Sequence, residues 1–253
     1  MSFRKTVFVI SVLLATACIS GCGAEEKMSD AELWQTAVED AVISDDDEVM
    51  ELVTLTADDD RVIWDDEGKR VLLLTWHDYD DECVPGNDID TEAFGDIWAT
   101  SFGEMKEWYE ENGDGVEDWD LRFAQLLGVH KDEGYTRFTA FWISPEDVIR
   151  PAYVTDVTAQ MKNDYGRVGD GQYKEWFDDN IIWSYFESDY PWTRLGYTYD
   201  WSGGESEYGL TEFLVSDGSK AEIAFTCTTE ELVNQLEGRT GSEASDGTAG
   251  RSE

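Results

Sequence analysis

The run Val71-Leu72-Leu73-Leu74-Thr75-Trp76 constrains this chain more than any other segment. It has no polar face, and a strand without one must be covered on both sides. It therefore predicts a central strand in a sheet, entered through the turn Asp65-Asp66-Glu67-Gly68. The signals around it alternate. Ser29-Asp30-Ala31-Glu32 is a capping box opening a helix to about Val42. Leu52–Thr56 and Arg61–Trp64 read as strands. Thr91 starts what reads as the longest helix, to about Glu111, with Phe94, Ile97, Trp98, Phe102, Met105 and Trp108 at helical spacing. A short helix over 117–127 and a strand over Tyr135–Ile143 follow. Ser144-Pro145-Glu146-Asp147 has the letters of a helix start, and 172–186 reads as an aromatic helix. Leu210–Val215 and Ala221–Thr226 flank Asp217-Gly218 as an expected hairpin, and Thr228-Thr229-Glu230-Glu231 caps a last helix. The expected fold is α+β or α/β, one mixed domain with a central sheet flanked by amphipathic helices.

The ends read differently. Arg4 and Lys5 precede a 12-residue apolar stretch, Thr6 to Ala17, which is too short for a membrane span and suits a secretory signal. It leads into Ile19-Ser20-Gly21-Cys22, which resembles a bacterial lipoprotein lipobox. That resemblance implies a signal peptide over 1–21, cleavage before Cys22, and a lipidated cysteine and tether over 22–28. The diacylglycerol, with its two acyl (palmitate-type) chains, would anchor the protein to a membrane on the extracytoplasmic side of the bacterial cell envelope. The globular domain is then expected over 29–237. Residues 238–253 carry no large apolar side chain and read as a disordered tail.

Export also bears on the thiols. With Cys18 in the signal and Cys22 lipidated, Cys83 and Cys227 remain. An oxidising compartment allows them to pair as a disulfide, with two separate thiols as the alternative.

The chain carries 57 Asp and Glu against 18 Lys and Arg, a formal charge of -39. Nucleic acid is excluded as a partner, because phosphate recognition needs clustered bases. Catalytic signatures are missing: no nucleophile elbow, no phosphate loop, no Cys-x-x-Cys, and only His77 and His130. Two acidic clusters stand out. His77-Asp78-Tyr79-Asp80-Asp81-Glu82 follows the central strand, where His77, Asp78 and Asp80 are candidates for acid–base chemistry and Asp80 for a metal. Glu110 to Asp118 lies between two helices and partly fits a calcium loop, with Asp114 and Asp118 as candidate ligands. Leu121 stands where that loop needs its bidentate Glu. A solvated surface and a helix-ending turn explain the same letters, so no cofactor is required and Ca²⁺ is the one considered.

Tyr190-Pro191-Trp192-Thr193-Arg194-Leu195-Gly196-Tyr197-Thr198-Tyr199-Asp200-Trp201 resembles the signature of a family of uncharacterised bacterial proteins. There too a Glu-Phe strand and a Thr-Thr-Glu-Glu segment follow, here Glu212-Phe213 and Thr228 to Glu231. The resemblance spans roughly residues 61–232 and implies no activity. Read physically, the block is a packed strand with Arg194 paired to a carboxylate, or else a ligand surface.

Three functions fit. A lipid-anchored envelope protein that binds a partner protein or ligand is the economical one. A carboxylate-dependent hydrolase and a glycan-binding module using exposed Trp are the alternatives. The anchor has a direct test. Cys22→Ala is expected to release the protein from membranes or to block its processing, and metabolic fatty-acid labelling that persists in Cys22→Ala would refute lipidation at this thiol.

Overall fold

The computed structural model describes residues 27–79, 83–162, 168 and 171–239. The expected signal peptide, Cys22, Asp80 and most of the expected tail lie outside these residues. The fold is mixed α+β, built on a curled antiparallel sheet. In chain order the elements are α1 (Asp30–Ala41), β1 (Val71–His77), β2 (Asp88–Asp90), α2 (Thr91–Phe94) and β3 (Ile97–Ser101). Then come α3 (Phe102–Asn112), α4 (Trp119–Leu126), β4 (Arg137–Ile143), β5 (Val148–Ile149) and α5 (Gln172–Ile182). The chain ends with β6 (Tyr197–Tyr199), β7 (Tyr208–Val215), β8 (Lys220–Thr228) and α6 (Thr229–Leu236). Strand order is β2-β8-β4-β1-β3-β7-β5, with β6 paired to β7. The expected central strand is therefore central. Among the described residues no helix is long and apolar enough to cross a membrane.

Alternation along the strands makes two apolar layers. Val71, Leu73, Phe141, Ile143, Phe213 and Ile223 point into one. Leu72, Leu74, Phe138 and Ala140 point into the other, against Met105 of α3, Phe123 and Leu126 of α4, and Leu232 and Leu236 of α6. The α1 capping box forms as expected, with Ser29 and Glu32 bonded reciprocally. Thr228 and Glu231 do the same for α6.

Several expectations are corrected. The helix expected from Thr91 is three elements: Gly95 turns at φ 71°, and Ile97–Ser101 is recruited between β1 and β7. Apolar spacing over so short a run fits both periods, and tertiary pairing decides. β7 and β8 follow one another but do not form a hairpin. β7 pairs with β3, β5 and β6, while β8 pairs with β4 and β2. The turn between them hands the chain across the curled sheet, with Ser216 N–H bonded to Asp147 O at 2.9 Å. Pro145–Asp147 makes a single 3₁₀ turn. Cys83 and Cys227 are free thiols. Cys227 faces the layer under α6, whereas Cys83 packs against the other layer, so the expected bridge is not formed.

Leu52–Thr56 does not join the sheet and bends at Leu55–Thr56. Side chains replace a ladder there. Leu52 N–H donates to Gln160 Oε1, and Val53 N–H donates to Thr211 Oγ1. Val53 O accepts from the wholly buried Arg150, whose other contacts are the carbonyls of Asp156 and Ala159. Burial brings the Arg150 pKa down to about 10.

The end of α4 presses on β7 where Gly209 leaves room. A Cβ there would stand 2.2 Å from Leu126 O and 2.3 Å from Thr198 Oγ1, itself bonded to Leu126 O at 2.7 Å. Backbone cannot yield cheaply, so Gly209→Ala should cost about 1–3 kcal/mol in urea unfolding. An unchanged midpoint would contradict this packing.

Candidate functional site

The sheet opens along its central strand. β1 and β3 pair only at Leu73↔Ser101 and Leu74↔Thr100. The same register continued would place Thr75 opposite Ala99, Trp76 opposite Trp98, and His77 opposite Ile97. None of these pairs forms, and all six residues line one cavity of about 320 Å³. Its size falls at the lower end of small-molecule sites.

The Tyr190–Trp201 segment walls this cavity. Tyr190, Pro191, Trp192, Tyr197, Thr198 and Tyr199 all line it. Asp189 and Arg194 adopt φ of 53° and 60°, a conformation costly for residues with a Cβ, and so bend the chain at both ends of Tyr190–Thr193. Among the described residues Arg194 is not paired with a carboxylate. Its guanidinium donates to the carbonyls of Ala41 and Val42 at 2.9 and 2.8 Å and to Ser44 Oγ at 3.1 Å, closing the C-terminal end of α1. Trp192 donates through Nε1 to Pro151 O at 3.1 Å, and its carbonyl accepts from Tyr185. These bonds hold the wall.

Aromatic rings dominate the lining. Trp98 meets Trp192 edge-on at 6.3 Å and 87°, Trp76 meets Tyr135 at 5.5 Å and 88°, and Trp183 stacks on Tyr190 at 5.5 Å. Trp183 begins the π-turn Trp183–Glu187 that continues α5, an irregularity often found at functional sites. Trp183 and Tyr79 each keep 46% of their surface exposed and mark the mouth.

Among these rings sits Glu212 of β7, opposite Thr100 of β3. It is half-buried and lines the cavity. Its N–H donates to Gly196 O at 2.9 Å. Among the described residues no cation or hydrogen-bond donor meets its carboxylate, and burial alone pushes its pKa up to about 8. Its charge in turn helps raise the pKa of Tyr190, though burial does most of that. The other lining carboxylate, Asp96, accepts the indole N–H of Trp176 at 2.8 Å.

His77 reaches the cavity from β1. Its Nδ1 accepts the Tyr79 N–H at 3.1 Å, so Nε2 carries the proton and donates to Thr139 Oγ1 at 2.8 Å. Thr139 passes the bond to Thr226 at 2.9 Å, and Thr226 to Cys83 O at 3.0 Å. Burial lowers the His77 pKa, against the pull of Asp78, and keeps the ring neutral. Of the other sequence candidates, Asp78 is exposed and Asp80 lies outside the described residues. Asp114 is exposed, while Asp118 caps α4 by accepting from Leu121 N–H at 3.0 Å, the helix-ending turn rather than the calcium loop.

Among the described residues the acids that converge are Asp40, Glu48 and Glu207, with oxygens within 4.8 Å of one another. They stand behind the wall and hold its phenols: Tyr197 OH donates to Glu207 at 2.5 Å, and Tyr199 OH to Asp40 at 2.8 Å. Burial, with Glu48 and Asp40 nearby, pushes Glu207 up to about 7. The spacing would allow one cation to bridge the three.

Sequence reasoning noted Glu212 only as part of a Glu-Phe strand. The available signal was a single acid inside Leu210-Thr211-Glu212-Phe213-Leu214-Val215, an otherwise apolar strand. Its ionisation has a stability consequence. The native state keeps this proton to about pH 8, the unfolded chain only to about 4.5, so native stability is lost as pH rises through that interval. Glu212→Gln should therefore be the more stable protein by about 1–3 kcal/mol at pH 8–9, and close to wild type at pH 4–5. Parallel pH–stability curves for the two proteins would contradict a buried, unpaired carboxyl.

No protein-family model, curated protein or solved structure matches the chain, so the cavity is read from its own chemistry.

Proposed function

We propose that the protein is a ligand-binding module of the bacterial cell envelope, held to a membrane through lipidated Cys22, and that it takes a small ligand in the cavity between β1 and β3. The observation that carries this reading is the ladder that stops after two pairs and leaves an aromatic cavity around one unpaired carboxyl. A sheet gives up ladder hydrogen bonds around this cavity, a cost that a binding function accounts for. Hydrolysis is supported less. Of the two lining carboxylates Asp96 is engaged by Trp176, and His77 is tied into a threonine relay. Trp76 with Tyr135 and Trp98 with Trp192 cross at steep angles, which favours an enclosed ligand over an extended glycan.

Ligands that raise the melting temperature should also change the fluorescence of Trp76, Trp98, Trp183 and Trp192, which all line the cavity. Filling it from the small position, with Ala99→Phe, should abolish both responses while the far-ultraviolet circular dichroism stays native. A ligand that shifts wild type and Ala99→Phe equally would place binding elsewhere and overturn the proposal.

A further inference from the structure

Resting on that reading, we infer that the ligand is an organic cation, a substituted ammonium group on a small apolar body, with Glu212 as its counter-ion. The cavity presents one carboxyl without a partner among the described residues and several ring faces, and these two features together select a ligand class. A neutral apolar ligand would fill the volume but leave the carboxyl without a partner, at the usual cost of a buried polar group. An anion would meet Glu212, the Asp96 side and the field of a chain with formal charge -39. A cation satisfies the carboxyl and is attracted by indole and phenol faces, more strongly once desolvated. The same field concentrates cations at the mouth and speeds their entry, in a salt-dependent way.

Glu212 is the one lining group set to exchange a proton with such a ligand. Facing it, His77 is kept neutral by burial and by the Tyr79 N–H on its Nδ1, Asp96 is bonded to Trp176, and Tyr190 and Tyr135 have their phenol pKa values raised. Tyr197 and Tyr199 also have raised values and turn their hydroxyls away, to Glu207 and Asp40. Tyr79 and Cys83 stand on the β1 side of the lining, and the Cys83 carbonyl ends the threonine relay. With Glu212 mostly protonated at pH 7, a permanent cation must displace that proton, and near one proton per ligand is released to buffer.

The test uses tetramethylammonium, benzyltrimethylammonium and decyltrimethylammonium, each beside the neutral hydrocarbon with carbon in place of nitrogen, in 0.15 M NaCl. Binding is followed by Trp fluorescence and by calorimetry in two buffers of different protonation enthalpy. In wild type at least one cation should bind about tenfold or more tighter than its neutral counterpart, with proton release. Glu212→Gln and Glu212→Leu should lose both the preference and the proton release while still binding the neutral partner. If the neutral compounds bind as well as the cations, and the Glu212 variants change nothing, the cation assignment falls and the cavity reading stands. If neither series binds, both fall.

Discussion

Everything about the site depends on a hydrogen-bond ladder that ends early. β1 is bonded along its whole length to β4, from Val71↔Ile143 to His77↔Arg137. Toward β3 it makes only two pairs. One edge of the central strand is thus fixed and the other is free over Thr75–His77. Beyond the two pairs β3 stays with β7, through Ile97↔Val215 to Thr100↔Glu212. Each of the parting strands is therefore anchored on its far side, and the opening can persist without either strand unravelling. Because side chains alternate along a strand, both faces contribute to the gap. That is why His77 and Thr75 meet Trp76 and Trp98 around one cavity.

A sheet interrupted in this way needs its walls held by other means, and buried polar side chains do this. Arg150 bonds three carbonyls of irregular chain, and Arg194 closes α1 while placing Tyr190–Thr193. In a chain with 18 Lys and Arg against 57 acids, both arginines are committed to main-chain carbonyls. A guanidinium offers five donors in a fixed fork, which suits it to ordering loops that have no ladder. Gly196 fits this arrangement: it turns at φ 83°, and a Cβ there would stand 2.4 Å from Arg150 Cδ.

What could be read in the sequence follows from which interactions are local. The capping boxes of α1 and α6 involve residues three apart, and the apolar run of β1 declares burial on both faces; all three formed as read. Ile97–Ser101 was misread because its neighbours on β1 and β7 are far away in the chain, and its spacing alone fits a helix. Leu52–Thr56 had strand composition, but its partners are Gln160, Thr211 and Arg150. The site was legible only in fragments. His77 follows from its position after the central strand, and the Tyr190–Trp201 block from its aromatic density. That they meet at a stopped ladder is a non-local fact. The acid-rich stretches drew attention to Asp78, Asp80, Asp114 and Asp118, whereas the informative acid is the solitary one in an apolar strand.

Two glutamates show why solitude matters more than number. Glu104 of α3 is buried, more deeply than the half-buried Glu212, and bonds to the same strand. Its oxygens accept from Tyr208 OH at 2.5 Å, Thr211 N–H at 2.8 Å and Thr211 Oγ1 at 3.0 Å. Burial raises its pKa, these bonds restrain the rise, and it reaches only about 6. Glu104 is thus a bracket between α3 and β7, and its satisfied oxygens leave little for a ligand. Glu212 is half-buried and lacks such bonds among the described residues, and desolvation takes its pKa to about 8. A glutamine or leucine in its place would serve the strand better, since neither carries a charge to be desolvated. A group that weakens the fold where it stands, faces a cavity and lacks a partner is best explained by a partner that comes from outside.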